Sequence, residues 1–267
     1  MPQEFLRLLP LTLQRRASAT EGPRRWTLRG LQRWVEEHFD RRYCLETLRR
    51  VLHRLGLSWK KARKLLARAN PLSRLLFLQQ LQSLVAQALD DRIVLCFIDE
   101  AHIHCDVDLS YGWGTRGAPL LIHSTSPGLS YKATFYGLYL FPLARVHLWH
   151  APWADTEQTL TVLSRLRQEY PDRRIVLLWD GASYHRSATV RAHAAALGIA
   201  LVPLPAYSPD FMPVEAVWRW LRQTVTANYC HDSVALLLAR VCAFAWDINQ
   251  DPVALAARLP PKTSLNF

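Results

Sequence analysis

Ile93-Val94-Leu95-Cys96-Phe97-Ile98-Asp99 decides how this chain folds. An unbroken apolar run of this kind reads as a central strand covered on both faces, and an acidic residue closes it. The pattern recurs at Ile175-Val176-Leu177-Leu178-Trp179, closed by Asp180. A third acid, Glu215, follows Ser208-Pro209-Asp210-Phe211-Met212-Pro213-Val214 and opens a helical pattern. Carboxylates at the ends of two buried strands, with a third on a nearby helix, can hold two divalent cations about 4 Å apart. That arrangement suits phosphodiester chemistry, so the pattern points toward nucleic acid.

Working outward, residues 92–98 form the first strand, and His102 to Val107 reads as the returning strand of a hairpin. Tyr111-Gly112-Trp113-Gly114 is a turn, with Trp113 expected to pack over that hairpin. Tyr131 to Phe141 alternates and is rich in aromatic residues, so it is a third strand, extended by Arg145 to Trp149. Asp155 to Tyr170 is helical, 174–179 a buried strand, 187–197 a helix and Ile199 to Val202 a short last strand. Glu215 to Thr226 and Ser233 to Trp246 are helices. This order predicts an α/β fold: a mixed sheet of ribonuclease H type with flanking helices. Its first and fourth strands are parallel neighbours, which brings Asp99 and Asp180 side by side at one sheet edge.

The charge is distributed unevenly. The 267 residues carry a formal net charge of +11. Residues 1–70 hold 17 Lys and Arg against 6 Asp and Glu, and the remainder holds 16 of each, so the whole excess lies in the first quarter. A basic module joined to a neutral body suggests one part that grips a polyanion and another that acts. Within that module, residues 1–25 form an Arg-rich arm. Thr27 caps a helix whose apolar residues Leu28, Leu31, Trp34, Val35 and Phe39 share a face. A second helix runs from Cys44 to Leu55 and is stopped by Gly56. Two short helices with a basic second one read as a small all-α helix-turn-helix domain, with 57–64 as a wing. Arg41, Arg42, Arg49, Arg50, Arg54, Lys60, Lys61, Arg63 and Lys64 are the candidate DNA contacts. Phosphate contacts of this kind give affinity without sequence choice. The domain boundaries follow: 1–70 helix-turn-helix with its arm, 71–90 a connector helix, 91–267 the catalytic domain.

Five scattered cysteines form no CxxC pair, no stretch reaches eighteen apolar residues, and the N-terminus lacks a signal-peptide pattern. The expectation is a soluble, intracellular, cytoplasmic protein without a membrane partner. Other polar residues have plainer readings. Alternation turns Glu100 to the face opposite Asp99, where a structural role is expected. Asp210 reads as a turn former. His102, His104 and Cys105 lack a fourth ligand at a zinc spacing. His185 is an accessory candidate, able to touch DNA or a metal-bound water.

Four pieces then carry a resemblance: Phe97-Ile98-Asp99-Glu100, Tyr111-Gly112-Trp113, Trp179-Asp180-Gly181-Ala182-Ser183-Tyr184-His185, and Leu204-Pro205-Ala206-Tyr207-Ser208-Pro209-Asp210-Phe211-Met212-Pro213-Val214-Glu215-Ala216-Val217-Trp218. Over about 27–225 the chain resembles DDE transposases of the mariner superfamily, and most closely the bacterial insertion-sequence 630 family. The 34 residues between Asp180 and Glu215 match that superfamily's spacing. The resemblance implies an endonuclease and strand transferase that cuts at element ends and joins a DNA 3′-hydroxyl to a TA target. It implies that Asp99, Asp180 and Glu215 are catalytic and bind two Mg²⁺, with Mn²⁺ as substitute. It implies double-stranded DNA partners, terminal inverted repeats and target, held by a homodimer in a synaptic complex. The chain departs from the family at Gly181, where Asn is usual, and at Met212, where Asn-Pro-Ile-Glu is common; it also has room for only one helix-turn-helix. These departures leave an alternative open: a decayed or truncated product that only binds DNA.

Overall fold

The structure, a computed structural model, describes residues 26–59, 70–125, 128, 130–182, 185 and 187–264. The chain divides into two units between Leu65 and Leu66. In the first, α1 (Leu28–Phe39) and α2 (Leu45–Arg54) pack through Leu31, Val35, Leu48 and Val51. Their starts are fixed locally: Thr27 Oγ1 accepts from the Gly30 amide at 3.0 Å, and Cys44 Sγ from the Thr47 amide at 3.4 Å. Trp26, Trp34, Phe39, Tyr43, Leu52 and Leu55 surround this small core. The arm at 1–25, and the part of the expected wing from residue 60 onward, lie outside the described residues.

The second unit opens with α3 (Pro71–Leu89). Asn70 caps it, with Oδ1 accepting from the amides of Leu72 and Ser73 at 2.9 and 3.2 Å. Its buried side chains Phe77, Leu78, Leu81, Val85 and Ala88 enter the main core. A five-stranded mixed sheet follows, in the order β3-β2-β1-β4-β5. The strands are β1 (Val94–His104), β2 (Lys132–Phe141), β3 (Arg145–Ala151), β4 (Ile175–Trp179) and β5 (Ile199–Pro203). The first three are antiparallel neighbours, and β4 and β5 run parallel to β1. This is the expected ribonuclease H-like sheet.

Strand alternation sorts the side chains onto two faces. Leu95, Phe97, Phe135, Tyr139, Val176 and Leu178 join one cluster with α3, α6 (Val214–Leu221) and α7 (Val234–Ile248). Val94, Cys96, Ile98, Tyr136, Leu138, Ile175, Leu177 and Trp179 join the other, with α4 (Thr156–Glu169) and α5 (Ala188–Ala196). The sheet is therefore sandwiched between helices, which is why β4, and β1 as far as Ile98, are apolar.

Three expectations need correction. His102 to Val107 is not a returning strand: β1 continues to His104, paired to β2 as far as His104↔Lys132. No Gly, Pro or Asn lies between Asp99 and His104 to turn the chain. Asp99 is consequently in mid-strand rather than at a strand end. Trp113 is fully exposed instead of packed over a hairpin, because that hairpin does not exist. A short helix, α8 (Pro252–Arg258), was not anticipated, although Asp251 caps it and Pro252 starts it.

Asp210 does more than turn the chain. It sits on a 3₁₀ turn, Pro209–Phe211, shortly before α6. Its carboxylate accepts both Arg74 Nη1 and Nη2, at 2.9 and 2.7 Å, and pairs with Lys262. Both cations also lie over the Phe211 ring, 5.0 and 5.4 Å from its centroid. The brace joins α3, the turn before α6 and the residues after α8. The Arg74 hydrogen bonds, with Lys262 adding, hold the Asp210 carboxyl well below the usual carboxylate range against a partial burial cost. A depressed folded value stabilises the protein above the unfolded carboxylate value of about 4, and the contribution is lost as pH falls further. Asp210→Asn is expected to cost about 1 kcal/mol at pH 7, after discounting for solvent screening. Urea unfolding at pH 7 and pH 3 checks this: the gap between variant and parent should narrow at the lower pH.

Candidate active site

The register of the central strands assembles the acids. β1 and β4 pair as Leu95↔Val176 and Phe97↔Leu178, and Asp99 and Asp180 each follow the last of these pairs by two residues. Alternation sends Asp99 toward the α6 face and Glu100 and Trp179 to the other, while Asp180, just past β4, turns to His185. Glu215 lies in the first turn of α6, and Trp218 follows at i+3, one turn along the same side.

Trp218 fastens that helix to the strand. Its Nε1–H donates to Asp99 Oδ2 at 3.0 Å. The indole fits because Gly137, the β2 partner of Asp99, has no side chain. A Cβ there would stand 2.3 Å from Trp218 Cζ2 and 2.6 Å from Cη2. The pieces of the site thus interlock: a glycine on β2, an indole on α6 and a carboxylate on β1.

The electrostatics differ from one acid to the next. Burial pushes the Asp99 carboxyl up to about 7, and the charges of Glu100, Asp180 and Glu215 add to the shift; the Trp218 hydrogen bond opposes it. Burial also raises Glu215, against the pull of Arg219. Asp180 moves the other way, held down by its hydrogen bond to His185, with its Oδ1 2.9 Å from His185 Nδ1 and accepting from the Ala182 amide at 2.9 Å. His185 is buried, which disfavours its charge, yet its hydrogen bonds to Asp180 and Glu100 raise it to about 9. The two carboxylates thus favour its charged form.

The three acids share a neighbourhood rather than a single point. Among the described residues, no three His, Cys, Asp or Glu side chains are arranged to hold a metal ion. Asp99 is turned to Trp218 and Asp180 to His185. The donor chemistry still suits a hard divalent cation. All three candidates are carboxylates, and the accumulated charge that raises Asp99 is what such a cation relieves.

Asp99 and Glu215 line a groove of about 790 Å³, together with Glu100, His102, Asp108, Trp218, Arg219 and Arg222. Arg219 and Arg222 follow Glu215 by four and seven residues and so share its helical side. The sequence reading missed them; their spacing from Glu215 was the available signal. Of the expected DNA contacts, Arg41, Arg42, Arg49, Arg50 and Arg54 are exposed on the first unit. Arg49 and Arg50 are engaged there by Glu46, at 2.8 and 3.2 Å. Lys60, Lys61, Arg63 and Lys64 lie outside the described residues. The two family departures have different settings: Met212 is buried in the main core, whereas among the described residues a Cβ at 181 would have no neighbour within 4 Å beyond its chain neighbours.

Residues 94–237 match the family described as DDE superfamily endonuclease, and residues 22–81 match a winged helix-turn-helix family. The insertion element IS630 uncharacterized 39 kDa protein of Shigella sonnei is 24% identical over 211 residues, which cover 77% of this chain and 60% of that protein. The chain thus spans about 60% of the length of this curated relative. Among solved structures, a Mos1 transposase paired-end complex with the left transposon end aligns with a TM-score of 0.58 at 16% identity, over 91% of this chain and 82% of that one. A pre-cleavage Mos1 transpososome aligns at 0.54 and 17% identity, over 91% and 80%. A Mos1 mariner paired-end complex with Mn aligns at 0.56 and 16%, over 91% and 79%. At such identities the likeness is one of fold.

Two expectations follow from the site's physics. Gly137→Ala relieves a strand glycine, worth about 0.5–1 kcal/mol, but forces the indole aside at about 1–3 kcal/mol, so the clash prevails. Thermal unfolding should show net destabilisation, and Trp218 fluorescence should shift. Asp99 has a folded value above its unfolded one, so without a bound cation it lowers stability as pH rises from about 4 through 7. Asp99→Asn in EDTA should accordingly be more stable than the parent by roughly 1–3 kcal/mol at pH 8 and equal to it at pH 4, by chemical unfolding.

Proposed function

The chain belongs to the DDE superfamily of endonucleases, and from that premise we propose that it is a DNA transposase, cutting at the ends of an insertion element and joining a DNA 3′-hydroxyl to a target. The observation that carries this is the nearness of three acids: the charges of Asp180 and Glu215 both raise Asp99, and Glu215 lies on the helix whose Trp218 bonds Asp99. The likeness to an insertion-element protein and to Mos1 complexes with transposon ends supports the same reading.

In this reading Asp99, Asp180 and Glu215 are the catalytic carboxylates and would hold two Mg²⁺, with Mn²⁺ as substitute. When bound, the ions supply an activated water or 3′-hydroxyl and neutralise the leaving oxygen. The neighbouring structures solved with Mg and with Mn support this choice of metals. The chain's own residues do the rest. Trp218 fixes one oxygen of Asp99 and with it the rotamer of that carboxylate. Arg219 and Arg222 receive phosphates flanking the scissile bond, where their charge offsets repulsion between DNA and the acids. Arg41, Arg42, Arg49, Arg50 and Arg54 grip duplex DNA, the terminal inverted repeats, with Lys60, Lys61, Arg63 and Lys64 extending that contact. The target is TA, a flexible step that is cheap to deform. Two ends must be held together, so the working form is a homodimer in a synaptic complex, acting in the cytoplasm at the nucleoid. The domains serve these tasks in order: 1–70 binds DNA, 71–90 connects, 91–267 cuts.

One observation favours a second reading, a DNA-binding product without catalysis: the acids turn to Trp218 and His185 rather than to a shared point. A cleavage assay separates the two, using a plasmid that carries the repeats flanking the gene, with Mg²⁺, Mn²⁺ or EDTA. The transposase reading expects nicking in either metal and none in EDTA. Glu215→Gln should lower cleavage by more than about 100-fold while retaining DNA binding. Cleavage by that variant would remove Glu215 from the site; no cleavage by the parent in either metal would leave the binding-only reading.

A further inference from the structure

Glu100 and His185 remain without a task in the scheme above. Glu100 lies on β1 next to Asp99 but on the opposite face, its side chain 9% exposed. His185 is 1% exposed and stands between two carboxylates. Its Nε2 is 3.1 Å from Glu100 Oε1, and its Nδ1 is 2.9 Å from Asp180 Oδ1. The Trp179 ring stacks on the imidazole, centroids 4.5 Å apart and planes 11° from parallel. A ring gripped at both nitrogens and on one face cannot rotate without losing both polar contacts.

Asp180 needs such a restraint. It lies just past the last residue of β4, its side chain is 55% exposed, and among the described residues nothing beyond its chain neighbours would come within 4 Å of a Cβ at Gly181, which follows. A carboxylate on that segment has rotamers to spare, and a misplaced ligand costs affinity. Its two donors, the Ala182 amide and the His185 ring, engage the same oxygen, Oδ1. Among the described residues this leaves Oδ2 for a cation.

We propose that Glu100 and His185 form a positioning device that fixes the Asp180 carboxylate for metal binding, with Glu100 acting through His185. The proposal rests on the reading of Asp180 as a cation ligand. Glu100 clamps the outer nitrogen, Trp179 fixes the ring plane, and the inner nitrogen sets the carboxylate. The device is built from both sides of β1: Asp99 on one face is a ligand, and its neighbour Glu100 on the other orients the second ligand.

Mn²⁺ alone, titrated onto the DNA-free full chain and followed by electron paramagnetic resonance, tests this; melting in EDTA is recorded beside it. Asn carries its amide nitrogen near the position of imidazole Nδ1, and Gln near Nε2. His185→Ala and His185→Gln should weaken Mn²⁺ binding by about tenfold or more, while His185→Asn, which keeps the inner donor, loses no more than Glu100→Gln does. Glu100→Gln should weaken it several-fold, with no additional loss when combined with His185→Ala. A purely structural bridge predicts that Asn and Gln variants bind Mn²⁺ equally, tracking their melting temperatures, and that result overturns the proposal. So does unchanged binding in Glu100→Gln. Asp180→Asn separates the two levels. If it abolishes binding while His185→Gln does not weaken it, only the positioning device falls. If Asp180→Asn binds Mn²⁺ like the parent, the ligand assignment falls and the device with it.

Discussion

A single hydrogen bond, from the Trp218 indole to the Asp99 carboxylate, ties the helical layer to the sheet where the acids gather. Its geometry requires that nothing project from Gly137. The helix carrying Glu215 is thereby held at the middle of β1, and the groove beside it takes its walls from Asp99, Glu215 and Trp218. Asp108 contributes to the same wall and is itself pinned by Thr226, just after α6. Without the glycine the indole could not reach the carboxylate, and the apolar packing of α6 alone would leave its position along the strand less determined.

The site is a place where folding and chemistry pull apart. An acid at the centre of a buried strand is unfavourable, and the surrounding negative charge makes it more so. The protein accepts this at Asp99, which burial and three neighbouring carboxylates raise to about 7. It compensates on the far side of the sheet, where His185 is driven toward its charged form by two carboxylates despite being buried. A strained charge arrangement of this kind marks functional sites, because stability alone would select apolar residues there. The brace of Arg74, Lys262 and Asp210 contrasts with it. There each charge has its opposite at hydrogen-bond distance, and the Phe211 ring packs under both cations.

Much of the second unit was legible residue by residue. The apolar runs at 93–98 and 175–179 became paired parallel strands because continuous burial on both faces leaves no other state for them. The cap read at Thr27 and the helix starts placed at Asp155 and Ser233 are kept by the fold, where all three side chains cap. The misreadings have physical causes too. Residues 100–104 alternate polar and apolar as the strand leaves the core, which resembles a new strand as much as a continuing one. Trp113 looked like a core residue by type, but side-chain type does not say whether a partner surface exists. The start of α8 was written in Asp251-Pro252, yet a helix of seven residues has too short a period to register.

By itself the sequence determined which carboxylates end or interrupt buried strands, where the basic module lies, and the spacing that links Asp180 to Glu215, since these depend on local periodicity and composition. Only the tertiary structure decided that Glu100 and Asp180 meet at one histidine, that Trp218 reaches Asp99 through the space above Gly137, and that Asp210 is a brace. Those contacts join residues 85, 119 and 136 positions apart. Their existence depends on strand register and helix placement, which arise from the packing of the whole core and leave no periodic trace in the chain.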